Sequence, residues 1–116
     1  MEIQELKDKI ENKIVAFSTI TKDNKPHSIA VEVNKIIDDC ILITNNQMKT
    51  TIKNIKNNPY VSLVFWKDDG GWRVDGKAEY YNSGKWLEFV KSLKENENFN
   101  PKGAILIKVE NITELG

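Results

Sequence analysis

The chain has 116 residues, and its 17 basic and 17 acidic residues give a formal net charge of zero. This length fits one domain spanning residues 1–116, and the balanced charge disfavours a nucleic-acid-binding protein, which normally carries a basic excess on one face. The single cysteine, Cys40, excludes an intrachain disulfide and a cysteine zinc site.

The first half of the chain predicts one short helix and three strands. Apolar residues at helical spacing between Ile3 and Ile10 indicate the helix. Runs of β-branched or alternating residues indicate the strands, which we expect to form an antiparallel meander. They cover residues 13–21, 27–36 and 40–43. Cys40 opens the third, strongly apolar strand, so we expect a buried structural thiol.

The second half predicts two helices and three more strands. A helical pattern after Lys49 must stop before Pro59, because the residue preceding a proline is disfavoured in the helical region. Ser83 is a predicted N-cap for a helix that buries Trp86, Leu87, Val90 and Leu93. The remaining strands cover residues 60–66, 72–81 and 104–109.

Turn residues support this division of the second half. Asp68, Asp69, Gly70 and Gly71 form a hairpin signal, and Gly76 indicates a bulge or a close backbone approach. The paired aspartates here and at residues 38–39 are more typical of turns than of catalytic pairs. Six antiparallel strands with two or three helices indicate a mainly β fold, a barrel or sandwich decorated by helices.

The segment between the third strand and its helix is the strongest candidate for a binding site. Lys49, Thr50 and Thr51 fall in or beside the first turn of the helix, where free N–H groups favour an anion. A lysine there opposes the helix dipole unless a phosphate sits between it and the amides. The alternative is a solvated lysine with Thr50 as the helix cap.

The strand at 60–66 carries large apolar residues on both faces. One face of an antiparallel sheet is usually exposed to solvent. Since the second face of this strand is also apolar, we expect another surface to cover it. A second copy of the chain is the interpretation we favour, and one of the chain's own helices is the alternative.

The order of these elements resembles the FMN-binding split-barrel proteins related to pyridoxamine 5′-phosphate oxidase. The resemblance extends from about Lys13 to Val109. It rests on the strand at 16–19, the turn at 22–26, the strand at 27–36, the Lys49-Thr50 step, and the Asn58-Pro59 stop that leads into 60–63.

This resemblance implies an antiparallel six-stranded split barrel, a homodimer, and one FMN in each cleft between subunits. Lys49 and Thr50 would bind the FMN phosphate, helped by Gln47 and the amide of Met48. Other segments would surround the ring and the ribityl chain. These are the strand residues Ala30, Val31, Glu32 and Val33, the strand-end residues Thr44 and Asn45, and a tryptophan of the second subunit, either Trp66 or Trp72.

The function implied is a small FMN-dependent oxidoreductase in which the flavin does the chemistry. No protein nucleophile or metal cluster is evident, and His27 is the only histidine. No arginine follows Arg73, which argues against pyridoxamine phosphate oxidation itself. Glu32 beside the ring would disfavour the anionic reduced flavin, so it should point away and pair with a lysine.

Two alternatives have different partners. One is an FMN-binding electron carrier that serves a redox protein rather than a small-molecule substrate. The other is a barrel module that stacks another ligand or nucleic acid on Trp66, Trp72 and Tyr80. No apolar run spans a bilayer and no signal-peptide core begins the chain, so we expect a cytoplasmic protein without a membrane partner.

Overall fold

The structure, a computed structural model, describes residues 1–68 and 70–115. Seven strands form one antiparallel sheet, β2-β1-β5-β6-β7-β4-β3. They are β1 (Ile14–Ile20), β2 (Pro26–Glu32), β3 (Lys35–Ile37), β4 (Cys40–Asn45), β5 (Tyr60–Lys67), β6 (Gly70–Tyr81) and β7 (Gly103–Leu115). The helices are α1 (Lys7–Ile10), α2 (Thr50–Asn57) and α3 (Lys85–Ser92), with 3₁₀ turns at Ile3–Leu6 and Lys94–Asn96.

The prediction of a mainly β, antiparallel split barrel is confirmed, but the described residues form seven strands rather than six. The antiparallel pairings expected of the meander are present, as β1 with β2 and β3 with β4. The segment predicted as one strand at 27–36 divides at Val33 and Asn34. The Val33 N–H donates to the Lys13 carbonyl on the β1 side, whereas the Asn34 N–H donates to the Leu42 carbonyl of β4. Its two parts, β2 and β3, therefore lie at opposite ends of the sheet order.

The main hydrophobic core receives buried side chains from all seven strands. Burial alternates along β1 and β5, and the largest fully buried side chains include Phe17, Ile41, Leu63 and Ile105. Burying side chains of this size stabilises the fold by about 1.5–3 kcal/mol each, before entropy costs are subtracted. The chain before β1 covers one end of this core with Leu6 and Ile10.

Helix α2 follows β4 and is fixed against β1. Ile52 and Ile55 pack into the core, and the buried Asn54 side chain donates to the Thr19 hydroxyl at 3.0 Å. The helix ends at Asn57, and Asn58 adopts an extended conformation before Pro59, as the sequence predicted. Because these contacts anchor α2 to β1 and to the core, its N-terminus has a fixed position beside the end of β4.

The bulge predicted at Gly76 is confirmed. The register between β6 and β7 shifts between Asp75 and Gly76, and a Cβ at Gly76 would overlap the carbonyl oxygen of Lys108. The turn prediction also holds for Asp38 and Asp68, which adopt positive φ angles of 53° and 54°. Asp69, predicted as part of the same hairpin turn, lies outside the described residues.

The second helix predicted from the sequence forms as α3, but its N-cap is Gly84, with φ 84°, rather than Ser83. Val90 is fully buried, and Trp86, Leu87 and Leu93 pack around it against Leu42 and Ala104. None of the helices in the described ranges is long and apolar enough to cross a membrane.

None of the residues that the structure describes covers the outer face of β5. Val61, Leu63 and Phe65 are buried on the inner face, whereas Tyr60 is 52% and Trp66 65% exposed on the outer face. The alternative in which the chain's own helices cover this outer face is therefore wrong. The neighbouring residues on the outer face are small, with Ala16 of β1 opposite both Ala30 and Val64.

Candidate functional site

A cleft of about 600 Å³ lies between β2, the end of β4 and the start of α2. Its volume falls within the range of small-molecule and cofactor sites. Eight of the ten predicted site residues line it, namely Ala30, Val31, Glu32, Thr44, Gln47, Met48, Lys49 and Thr50. The fold thus brings together residues 30–32 and 44–50, two separate segments of the sequence.

The N-terminus of α2 forms one end of the cleft. Lys49 is the N-cap residue, and Lys49 and Thr50 are exposed while Thr51 is buried. Among the described residues, no side chain caps the helix, and no acceptor is found for the N–H groups of Thr50, Thr51 and Ile52. The structure therefore excludes Thr50 as the helix cap and leaves free donors at a positive helix end, a suitable site for an anion.

The free edge of β2 forms one wall of the cleft. Along an antiparallel ladder, the backbone groups of successive residues point to opposite edges. Val33 uses both of its backbone groups on the β1 side, with Lys13 at 3.0 Å and Asn12 at 2.7 Å. The N–H and C=O groups of Ala30 and Glu32 therefore point away from β1 and are available to a ligand.

Two predicted site residues lie behind the cleft instead of lining it. Val33 is fully buried in the core, and its backbone groups are occupied. The Asn45 side chain donates to the Tyr80 hydroxyl at 2.8 Å and accepts from the Met48 N–H at 2.7 Å. The Met48 amide is thus already bonded, and Asn45 shapes the turn before α2 from behind.

A buried polar network forms the floor. The Thr44 hydroxyl donates to the Asn34 side-chain oxygen at 2.7 Å and accepts from the Asn96 amide at 2.9 Å. Asn34 in turn donates to a Glu95 carboxylate oxygen at 3.1 Å, and Asn96 donates to the Val90 carbonyl. Because every bond is made between buried or part-buried groups, this network fixes the floor and ties the loop after α3 to β4.

The end of the cleft away from α2 is acidic. Burial raises the pKa of the Glu32 carboxyl above its ordinary value, and the nearby Glu95 carboxylate raises it further. The prediction that Glu32 points away and pairs with a lysine is wrong, since Glu32 lines the cleft and forms no ion pair within the described residues. The wall of the cleft formed by β2 is about 16 Å long from His27 to Glu32.

Several residues that the sequence did not point to also line the cleft. They are Asn34, Asn46, Glu95, Asn96 and Phe99, together with His27, which was noted above only as the single histidine. Thr51, predicted with Lys49 and Thr50 at the first turn of α2, lines the cleft as well. Two buried polar atoms on its surface, His27 Nδ1 and Asn46 Oδ1, have no hydrogen-bond partner within the described residues. Native buried polar groups are normally satisfied, so these two atoms are suited to contact a ligand. His27 could have been found from the sequence, because the alternation of side chains along β2 places it on the same face as Val31.

The aromatic residues predicted as a stacking lid occupy different places. Trp66 is exposed on the outer face of β5, whereas Trp72 stacks on Phe65 at 5.3 Å and is half-buried. Tyr80 also packs against the core. Trp66, Trp72 and Tyr80 therefore share no exposed stacking surface, and Trp66 is the tryptophan free to reach a second subunit.

Cys40 is half-buried rather than buried, so that part of the prediction is wrong. Burial and the adjacent Asp39 carboxylate raise the pKa of its thiol to about 11. The thiol stays protonated at neutral pH, which agrees with a structural rather than a nucleophilic role.

Comparison with known proteins places this chain in a family. The family model described as pyridoxamine 5′-phosphate oxidase matches residues 2–116. An uncharacterized protein of Methanocaldococcus jannaschii is 34% identical over 118 residues, which cover 97% of this chain and 79% of that protein.

Solved structures agree with that assignment. HupZ of Group A Streptococcus superposes with a TM-score of 0.86 at 27% identity, covering 99% of this chain and 94% of that one. An FMN-binding protein from Syntrophomonas wolfei shares the fold with a TM-score of 0.78 at 18% identity, covering 97% and 88% of the two chains. The chain belongs to the pyridoxamine 5′-phosphate oxidase family.

Proposed function

We propose that the chain binds FMN in the cleft and acts as an FMN-dependent oxidoreductase. The observation that carries the proposal is the pairing of unpartnered amides at the α2 N-terminus with the free edge of β2 across one cleft. An anionic group suits the first feature, and a flat ring with polar edges suits the second. Membership of the family and the FMN-binding neighbour from Syntrophomonas wolfei support the choice of FMN.

The phosphate would lie between the Lys49 ammonium, the Thr50 and Thr51 hydroxyls and the free amides of the first turn of α2. Gln47, exposed beside them, can add a side-chain donor. The exposed Lys49 side chain has no ion-pair partner in the described ranges, so its charge is available to the ligand. A charge-assisted contact of this kind contributes about 1.5–3 kcal/mol.

The ring would lie along β2, where the backbone groups of Ala30 and Glu32 face the cleft and Val31 supplies an apolar wall. Thr44 and Asn46 border the path between ring and phosphate, and the unpartnered Asn46 oxygen can accept a ribityl hydroxyl. Bound there, FMN would supply hydride or electron transfer. The chain's contribution is to position the ring and to set the local charge.

Glu32 and Glu95 set that charge at the ring end. An ionised Glu32 disfavours additional negative charge nearby, and the raised pKa of Glu32 shows that the cleft already penalises its ionisation. Both carboxylates therefore lower the tendency of a bound flavin to accept electrons. Arg73 lies on β6, paired with Asp75 at 3.2 Å, and does not line the cleft, so we do not assign pyridoxamine phosphate as the substrate.

We also propose a homodimer formed through the outer face of β5. Exposed Trp66, Tyr60 and Ile14 border a centre of small residues, including Ala16 and Val64, that permits close approach of another sheet. Ala30 is both exposed on this face and part of the cleft lining, so a partner seated here would complete the cleft wall. Light scattering at micromolar concentration should give twice 13.3 kDa, whereas a monomer would contradict the dimer.

The direct test of the cofactor is to purify the protein without added flavin and to release any chromophore for mass analysis. FMN in the released fraction, with a stoichiometry near one per chain, supports the proposal. A colourless protein that also fails to take up FMN during reconstitution contradicts it.

An electron-transfer protein is the second candidate. It is favoured by the rim of the cleft, where Phe99 is 58% exposed and leaves the site approachable by a large partner. Rapid oxidation of the reduced flavoprotein by a redox protein, without turnover of a nicotinamide, would favour the carrier over the enzyme. Steady turnover of a small-molecule donor would favour the enzyme.

A further inference from the structure

His27 lines the cleft and has no part in the proposed flavin site. It is the only histidine of the chain. Its Nδ1 atom is buried and has no hydrogen-bond partner among the described residues. Burying a polar atom without a partner costs free energy, so a bound group that supplies a partner removes this cost.

The pairing of the strands places His27 at the end of the cleft next to α2. His27 is opposite Thr19 in the register of β1 and β2, and the Thr19 hydroxyl accepts a hydrogen bond from the Asn54 side chain of α2. Thr51, three residues before Asn54 on the same side of the helix, is buried and lines the cleft. His27 therefore lies beside the first turn of α2, whereas Glu32 lies about 16 Å away along β2.

The charged groups differ between the two ends of the cleft. Its titratable side chains are His27 and Lys49 at the α2 end and Glu32 and Glu95 at the opposite end. The side chains that β1 and α2 place beside His27, Thr19 and Thr51, do not titrate. Lys25, in the turn before β2, forms an ion pair with Asp23 at 3.5 Å and does not line the cleft. Lys49 is therefore the charged group that shares this end of the cleft with His27.

We propose that His27 binds the flavin phosphate as an imidazolium, so that binding of FMN is coupled to the uptake of one proton from solvent. This inference rests on the proposed flavin site. Histidine is the side chain whose charge ordinarily changes between pH 5 and 8. In the free protein, the Lys49 ammonium disfavours a second positive charge nearby, whereas a phosphate between the two groups favours it. The protonated ring would donate from Nδ1 to a phosphate oxygen, which gives the buried atom its partner.

This coupling makes the affinity for FMN depend on pH. Linkage is reciprocal, so a ligand that binds the protonated ring more tightly also makes the proton harder to remove. The contribution of His27 to FMN binding should therefore increase as the pH falls from 8.5 to 6. Riboflavin has no phosphate and should gain nothing from His27 at either pH.

The test measures the affinities of the apoprotein and of His27→Asn for FMN and riboflavin at pH 6 and 8.5. The asparagine amide occupies the position of Nδ1 but does not titrate. Comparing the two proteins at each pH cancels the titration of the ligand phosphate and of Glu32 and Glu95, which both share. We expect the unaltered protein to bind FMN about 10-fold more tightly than His27→Asn at pH 6, and within about threefold at pH 8.5.

Two controls accompany these titrations. Riboflavin affinity should differ by less than about twofold between the unaltered protein and His27→Asn, because the ring and ribityl contacts are unchanged. Lys25→Ala removes a cation near the start of β2 that does not line the cleft, and its FMN affinity should follow that of the unaltered protein at both pH values. Thermal unfolding without ligand verifies that the variants are folded.

Proton NMR gives a second readout, because the only histidine of an untagged protein supplies a single set of imidazole signals. The midpoint of their titration should rise by about 1 pH unit when FMN is bound and stay unchanged with riboflavin. An FMN advantage over His27→Asn that is independent of pH, or an equal loss of FMN and riboflavin affinity in that variant, overturns the inference and leaves the FMN site standing. Failure of the unaltered protein to bind FMN refutes the flavin site and this inference together.

Discussion

Replacing Lys49 by alanine should separate ligand binding from folding. Lys49 is exposed, makes no side-chain cap, and has no ion-pair partner in the part of the chain that the structure describes. Its loss therefore leaves the fold intact. Removing a cation from a helix N-terminus even favours α2, by about 0.3–1 kcal/mol.

The same substitution should weaken FMN binding, although it slightly stabilises α2. Loss of a charge-assisted phosphate contact of about 1.5–3 kcal/mol weakens binding about 10- to 150-fold. Titration of the apoprotein with FMN, followed by quenching of flavin fluorescence, measures this change, and thermal unfolding without ligand checks the fold.

Lys53→Ala is the matched control, because Lys53 is exposed on the same helix and does not line the cleft. Its FMN affinity should stay close to that of the unaltered protein. Equal FMN affinity in Lys49→Ala and Lys53→Ala would remove Lys49 from the phosphate site and refute the reasoning.

Three further predictions concern ionisation and packing. The raised pKa of Glu32 means that its carboxyl favours the folded state in acid and loses that contribution as pH rises through the folded pKa. Glu32→Gln should therefore melt at a higher temperature than the unaltered protein at pH 7, and the gain should vanish below pH 4.5, the ordinary value; a gain that is independent of pH would refute the assignment. Because the thiol pKa of Cys40 rises from 9.0 to about 11, alkylation by iodoacetamide at pH 8 should be about 100-fold slower than for an ordinary cysteine, and a normal rate would contradict the burial of this thiol. Gly76→Ala should destabilise the fold by about 1–3 kcal/mol in urea unfolding, because the new methyl overlaps the Lys108 carbonyl. Gly70→Ala, whose Cβ meets only an ordinary 3.9 Å contact, should be near neutral, and equal effects of the two would argue against the close approach.

Local chemistry made most of the fold predictable. Runs of β-branched and apolar residues indicated β1 and β5, and the Asn58-Pro59 step ended α2 where the structure ends it. The bulge at Gly76 was also readable, because glycine inside a strand tends to mark a close backbone approach.

The division of β2 from β3 was not predictable from the sequence. The alternation of apolar and polar residues continues through Val33 and Asn34, and only the partners of these two residues separate the strands. Those partners are Lys13 and Leu42, each brought close by the curvature of the whole sheet. Strand pairing over such distances leaves no local signal.

The sequence predicted the site residues that lie next to one another in the chain. It did not predict those that a distant loop contributes. Lys49, Thr50 and Thr51 stood out because a lysine at a helix start is unfavourable without an anion. Glu95, Asn96 and Phe99 come from a polar loop about fifty residues later, and the Asn96 bond to Thr44 brings this loop to the cleft. The inward orientation of Glu32 follows from its position at the end of β2, where no lysine pairs with it in the described ranges.

The central claim is that the first turn of α2 binds a ligand phosphate. Its most direct test compares the affinities of the apoprotein for FMN and for riboflavin, which has the same ring and ribityl chain but no phosphate. The account predicts that FMN binds about 100-fold or more tightly, since the Lys49 contact and the free amides act on the phosphate alone. Equal affinities for the two would contradict it.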